Sequence, residues 1–238
     1  MNIQGSTALV TGANRGLGKA IVTALLGAGA ARVYAAARDE KTIALADPRV
    51  IAVTLDTTKP ETIAAAARRA GDVTLLVNNA GVLAGFDVLK ATQADLDAAF
   101  RTNVYGTLDV VRAFVPVLER APAGATIVNI LSLVSLGSLP AMGGYSASKA
   151  AAYSITQSLR AGLKSRRIDV LAALPGPIDT DMVRDLQMPK ASPEDTAKGV
   201  VAGIARGEEE IFPDAMAQQM GALWSKSPKE YERAFARL

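Results

Sequence analysis

Short, mainly apolar runs alternate along the chain with longer segments in which apolar and polar residues mix at helical spacing. The runs are Ala8 to Val10, Arg32 to Ala37, Val50 to Leu55, Val73 to Val77, Thr126 to Leu131 and Asp169 to Leu174, each bounded by glycine or polar residues. A strand buried on both faces shows no polar alternation, so such runs predict interior strands. Helix starts are marked by Thr58-Lys-Pro-Glu61, Thr92-Gln-Ala-Asp95 and Ser192-Pro-Glu-Asp195, where a hydroxyl stands three residues before a carboxylate. A last strand is expected near Glu210 to Phe212. Ser227-Pro-Lys-Glu230 then opens a closing helix with Tyr231, Ala234, Phe235 and Leu238 on one face. Strand and helix alternating in this way predict an α/β fold, a doubly wound parallel sheet of about seven strands with helices on both faces. No linker, repeat or low-complexity tract interrupts the pattern, and residues 1–238 are expected to form one domain.

Composition narrows the chemistry. The chain has no histidine and no cysteine. Ser-His-Asp and Cys-His hydrolysis are excluded, as are zinc sites built on His or thiolate, and no metal is expected. Catalysis must fall to Tyr, Lys, Ser, Asn, a carboxylate or a borrowed cofactor. The net charge of +3 is spread along the chain without a basic tail or an aromatic-laced basic stripe, which argues against nucleic acid as a partner. Zero cysteine fits a reducing compartment. Met1 leads almost directly into the first strand, with no signal-type segment. No apolar run approaches the ~20 residues that span a bilayer. A cytoplasmic protein with no membrane contact is the expectation.

The first strand ends in Thr11-Gly-Ala-Asn-Arg-Gly-Leu-Gly18 and flows straight into an apolar-patterned helix. A glycine turn there lets backbone approach a pyrophosphate, and the helix N-terminus offers N–H groups and a positive dipole. Gly12, Asn14, Arg15, Gly16, Leu17 and Gly18 are therefore candidate cofactor-binding residues. The segment is not a Walker loop, because Gly18-Lys19 is followed by Ala20 and the preceding glycine falls at the wrong spacing. The second strand ends Ala35-Ala36-Ala37-Arg38. A carboxylate at that place would hold a ribose 2′-hydroxyl, whereas an arginine suits a 2′-phosphate. Arg38, with Arg15 expected to point at the same region, favours NADP(H) over NAD(H). Asp39 and Glu40 follow and are expected outside the pocket.

Tyr145 and Lys149 stand one helical turn apart in Gly144-Tyr-Ser-Ala-Ser-Lys149, with Ser132 upstream in Asn-Ile-Leu-Ser. A phenol ionises near pH ~10, and an ammonium at i+4 favours the phenolate, drawing the group toward neutral pH. A serine hydroxyl from a neighbouring strand end could hold a substrate oxygen against that phenol.

Together these segments resemble the short-chain dehydrogenase/reductase family over essentially the whole chain. The matching residues stand in order: the glycine segment from Thr11 to Gly18, Asp56, Asn78-Asn-Ala-Gly81, Asn103, Ser132, Tyr145-x-x-x-Lys149 and Pro175-Gly-Pro-Ile-Asp-Thr180. The resemblance implies a Rossmann-type fold. It implies that Tyr145 donates a proton to a carbonyl oxygen, that Lys149 lowers the Tyr145 pKa and binds the nicotinamide ribose, and that Ser132 orients the substrate. Asn103 would anchor a water behind Lys149. Asp56, with Thr57 beside it, would meet the adenine, and Asn79, Ala80 and Gly81 the adenosine ribose. Pro175, Gly176, Ile178 and Thr180 would line the carboxamide end. Asn78 is expected to brace the central strand.

By the same resemblance the substrate pocket draws on Val134, Leu139, Met142, Met182, Leu186 and Met188. These side chains are apolar and, in the methionines, adaptable, which points to a small hydrophobic carbonyl or alcohol substrate. The segment after Thr180 is short, which argues against a deep lid. The resemblance also implies a homodimer or homotetramer joined through the helices around Asp95–Leu118 and Gly144–Lys164. Three other readings remain: a carrier-protein-linked 3-oxoacyl reductase, a non-catalytic NADP-sensing regulator, and a lyase or epimerase that recycles its cofactor.

Overall fold

A computed structural model of the chain describes residues 2–184 and 187–237. Strands β1 (Thr7–Thr11), β2 (Arg32–Ala37), β3 (Val50–Thr54), β4 (Leu75–Asn78), β5 (Ala125–Ile130), β6 (Ile168–Ala173) and β7 (Glu210–Ile211) form one sheet. Their order is β3-β2-β1-β4-β5-β6-β7, and every pairing is parallel. This is the doubly wound arrangement expected of the apolar runs, with strand limits within two residues of those expected and β2 matching its run at both ends.

Successive side chains of a strand point to opposite faces, and the sheet uses both. Ala8, Val10, Leu75 and Val77 turn toward α1 (Gly16–Gly27) and, farther along the chain, α6 (Pro193–Arg206), meeting Ile21, Leu25, Val200 and Ile204. Leu9, Leu76 and Ile127 turn the other way, toward α2 (Pro60–Arg69) and α4 (Thr107–Leu118), where Ile63, Val111, Phe114 and Leu118 cover them. The long α5 (Gly143–Leu163) packs against β6 and against α3 (Gln93–Phe100), while α7 (Ala215–Lys226) and α8 (Pro228–Phe235) pack on each other and on the turn that follows β5.

Helix starts follow the sequence in three of four cases. Thr92 makes a full capping box with Asp95 at the head of α3 (Gln93–Phe100). Ser192 and Ser227 accept the N–H of Asp195 and Glu230. The exception is Thr58. Lys59 occupies the cap of α2, and the Thr58 N–H and hydroxyl both donate to Asp56 Oδ1, at 2.9 and 2.7 Å. The nearby carboxylate outcompetes the helix for that hydroxyl. Of the four apolar positions on the closing helix, Leu238 lies outside the described residues; Tyr231 and Phe235 are buried, as expected.

The helix expected from Asp95 to Leu118 is not continuous. A π-helical turn, Arg101–Gly106, separates α3 from α4 and carries Asn103. Such turns insert a residue into the helical ladder and re-aim side chains, often at functional sites. All parallel strands end at one edge of the sheet. Between β1 and β4 the chain order reverses, which leaves a crevice at that edge for a ligand.

Candidate active site

A cleft of about 680 Å³ opens at this edge, lined by the turns that follow β1, β2, β4, β5 and β6. At the β1 turn, Gly12 and Gly16 take positive φ of 65° and 52°. A Cβ on Gly18 would lie 2.2 Å from Gly12 O, so only glycine lets α1 start this close to the turn. The Thr11 hydroxyl accepts the N–H groups of Asn79 and Ala80 at 2.9 and 3.0 Å, and Asn79 Nδ2 donates to Thr11 O at 2.9 Å. The turns after β1 and β4 are thereby tied into one cradle. Gly16, Leu17 and Gly18, the first residues of α1, line it with no acidic side chain in the first helical turn. That geometry fits an anionic dinucleotide.

Arg38 stands exposed where β2 meets the cleft, close enough to Asp56 to act on its charge. Burial tends to raise the Asp56 carboxyl, but its bonds to Thr58 and the charges of Lys59 and Arg38 together hold it below the usual range. Asp39, expected outside the pocket, in fact borders the cleft, because it directly follows Arg38 at the end of β2; its carboxylate is turned to the Lys41 N–H at 3.0 Å and caps a short 3-10 turn. Arg15 departs from expectation. Its guanidinium lies 3.4 Å from Asp181 on the turn after Thr180, so it reaches across the cleft rather than toward Arg38.

The reacting end is built from β5 and α5. Ser132 follows β5 and lines the cleft, its hydroxyl accepting the Val134 N–H at 3.3 Å. Tyr145 sits in the first turn of α5, with Lys149 one turn behind; the Lys149 Nζ is 5.8 Å from the Tyr145 ring centroid and donates to Ile130 O at 2.9 Å. The start of α5 is held by the chain after β4: Tyr145 N–H donates to Gly85 O at 3.2 Å. A Cβ on Gly144 would come within 2.4 Å of that same carbonyl, so the glycine before the tyrosine permits this contact. Asn103 is a brace. Its amide accepts Val82 N–H at 2.9 Å and donates to Val82 O and to Ser148 Oγ, both at 3.0 Å. The π turn thus locks the strand exit and the helix carrying Tyr145 together. Asn78, as expected, is structural: its Nδ2 donates to Asn129 Oδ1 at 2.9 Å within the sheet.

Electrostatics here differ from the sequence reading in one respect. Burial raises the Tyr145 phenol well above its ordinary value, although Tyr145 keeps part of its surface open to the cleft. Burial also lowers Lys149, to about 8. Desolvation disfavours the charged form of each group and outweighs the attraction expected between ammonium and phenolate. The polypeptide alone therefore keeps Tyr145 neutral, which is the form that can give a proton.

Of the expected substrate residues, Val134, Leu139 and Met142 are buried and line the cleft, Met188 lines it half-buried, and Met182 is 46% exposed at its mouth. Leu186 lies outside the described residues. The sequence reading missed one wall. Met216 on α7 and Phe235 at the end of α8 also line the cleft, beside Leu83. Tyr231 fixes α8 there by donating to Leu133 O at 2.7 Å, and Phe235 stacks on Tyr231 with ring centroids 4.6 Å apart. The apolar face of the closing helix was visible in the sequence; the surface it covers was not.

The family model for short chain dehydrogenase matches residues 6–191. The chain belongs to the short-chain dehydrogenase family. It resembles a short chain dehydrogenase from Burkholderia cenocepacia solved in complex with NADP, with a TM-score of 0.92 and 40% identity over 99% of each chain. Among characterised relatives, 1-deoxy-11-beta-hydroxypentalenate dehydrogenase of Streptomyces avermitilis is 31% identical, covering 97% of this chain and 94% of the relative. The 3-oxoacyl-[acyl-carrier-protein] reductase of Thermotoga maritima is 29% identical over 89% of each. This short-chain dehydrogenase is accordingly an oxidoreductase acting on CH–OH and C=O groups with a nicotinamide cofactor. Among its described residues, no helix is long and apolar enough to cross a membrane.

Proposed function

We propose that this short-chain dehydrogenase reduces a hydrophobic ketone or aldehyde to an alcohol at the expense of NADPH, reversibly. The observation that carries the reading is a neutral, cleft-facing Tyr145 with Lys149 one turn behind it, set between an apolar wall and a nucleotide cradle ending at Arg38. A bound nicotinamide dinucleotide would supply the hydride. Ser132 orients the carbonyl oxygen, and the Tyr145 hydroxyl gives that oxygen its proton as charge develops there. Lys149, held by Ile130 O, stabilises the phenolate left behind and offers a proton to restore it. Val134, Leu139, Met142, Met216 and Phe235 shield the carbon skeleton from water.

The test mixes the protein with NADPH and a panel of aryl ketones and diketones, following loss of the reduced nicotinamide absorbance. Consumption of NADPH by one or more of them is expected. Tight NADPH binding with no turnover across the panel would favour the NADP-sensing alternative.

The lowered Lys149 pKa gives a pH dependence with a definite sign. Its ammonium is present below about 8 and lost above it. Reductive kcat/KM is expected to fall as pH rises through about 8, well before an ordinary lysine near ~10.4 would titrate. A profile that stays level until about pH 10 would remove Lys149 from the rate-determining proton path.

Phe235 provides a check on the apolar wall. Phe235→Ala is expected to lower kcat/KM for bulky aryl ketones relative to small ones by roughly 10-fold, because the lost contact acts on the part of the substrate that fills the wall. Tm should fall as well, since the ring is stacked on Tyr231. An equal loss for every ketone would assign Phe235 to packing alone.

Assembly as a homodimer or homotetramer through α4 and α5 belongs to the same proposal. Ala147, Ala150 and Ser154 lie exposed on α5 and would allow a second helix close approach. Sedimentation of the purified protein decides between monomer and oligomer.

A further inference from the structure

Asp214 bridges the turn after β6 and the start of α7, and it is not one of the site residues named above. It caps α7, its Oδ1 accepting the Ala217 N–H at 2.8 Å. Its other oxygen, Oδ2, accepts the Gly176 N–H at 2.9 Å, 38 residues away in the chain. Gly176 belongs to the turn that leaves β6, and the preceding Pro175 carbonyl accepts the Leu133 N–H at 3.0 Å, directly after Ser132. The turn is therefore tied at the reacting end of the cleft, remote from Arg38. On its other side, a Cβ at position 176 would lie 3.0 Å from Asp214 Oδ1 and 3.4 Å from Met216 Cβ, so the turn and the first residues of α7 are in contact. Both Gly176 and Met216 face the cleft.

We propose that Asp214 is a positioning residue that sets the register between the β6 turn, on the nicotinamide side, and α7, on the substrate side. A helix cap needs only one acceptor oxygen, and serine or threonine would serve as well. The second oxygen is what a carboxylate adds. It fixes Gly176 by a charge-assisted bond, and such bonds are stronger and shorter than those between neutral groups. Without it, the β6 turn would be free to slide relative to Met216, and Gly176 would no longer offer a bound nicotinamide a fixed wall beside the apolar side of the cleft.

This inference rests on the cofactor and reaction proposed above, and its test separates the two. Asp214→Ser keeps a hydroxyl able to cap α7 but is too short to reach Gly176. Asp214→Asn keeps the volume and one acceptor oxygen, so it can satisfy Ala217 or Gly176 but not both. Binding of NADPH, read by its fluorescence, is compared with binding of adenosine 2′,5′-bisphosphate, which lacks the nicotinamide half. For Asp214→Ser, Tm near that of the unsubstituted protein is expected, with NADPH bound about 10-fold more weakly and the half-ligand unchanged. Asp214→Asn should fall between. Equal weakening of both ligands, or wild-type NADPH affinity in the serine variant, would overturn the proposal. Binding is read without turnover. A protein that binds NADPH yet reduces no carbonyl compound would refute the proposed reaction while leaving this comparison intact.

Discussion

Tyr145→Phe is expected to lower kcat by ~10²-fold or more while leaving NADPH affinity nearly unchanged. The ring remains, so the packing of α5 and the bond from Tyr145 N–H to Gly85 O survive. Only the hydroxyl is lost, and with it the proton that neutralises the developing alkoxide. Burial keeps that hydroxyl protonated over the working range of pH, so its loss should matter at every pH tested. The measurement is kcat and KM for a reducible ketone, with NADPH binding determined separately. Turnover equal to wild type would take Tyr145 out of the mechanism. A parallel loss of cofactor affinity would instead point to a collapsed site. Neither follows from a variant that merely removes an acid.

The features that were legible in the sequence share a physical property: each is set by residues close together in the chain. Apolar runs such as Leu75 to Val77 announce strands because both their faces are buried. The Thr92 and Ser192 caps hold because the hydroxyl and the N–H it serves are three residues apart. Tyr145 and Lys149 meet because one helix carries both. Apart from Thr58, whose hydroxyl goes to Asp56 two residues before it, what escaped depends on partners far away in the chain. Arg15 swings to Asp181, 166 residues on, rather than toward Arg38. Tyr231 docks α8 on Leu133, 98 residues back, and so brings Phe235 into the cleft. The π turn at Asn103 exists in relation to Val82 and Ser148, which periodicity within one helix cannot reveal. The resemblance named Asn103 as a site residue, but its part in bracing the strand exit to the catalytic helix required the fold.

Cofactor choice should respond strongly to Arg38→Asp. Arg38 is exposed at the end of β2 and near enough to Asp56 to depress its carboxyl, so its charge lies at the adenosine end of the cleft. Asp39, the residue that could have favoured a free ribose hydroxyl, is engaged with Lys41 N–H instead. Arg15 is drawn to Asp181, which leaves Arg38 to carry most of the preference for a 2′-phosphate. Wild type is therefore expected to use NADPH with a higher kcat/KM than NADH. Loss of the charge-assisted contact alone should cost about 1.5–3 kcal/mol, or roughly 10- to 150-fold in kcat/KM for NADPH. The aspartate adds repulsion against the phosphate and offers an acceptor to a free hydroxyl, so the ratio of the two cofactors should change further than either term alone. Raised ionic strength should narrow the wild-type preference, because an exposed guanidinium is readily screened. The decisive measurement is kcat/KM for both cofactors, on both proteins, at fixed salt. Wild type preferring NADH would overturn the assignment and would place Asp39, released from its cap, against the ribose.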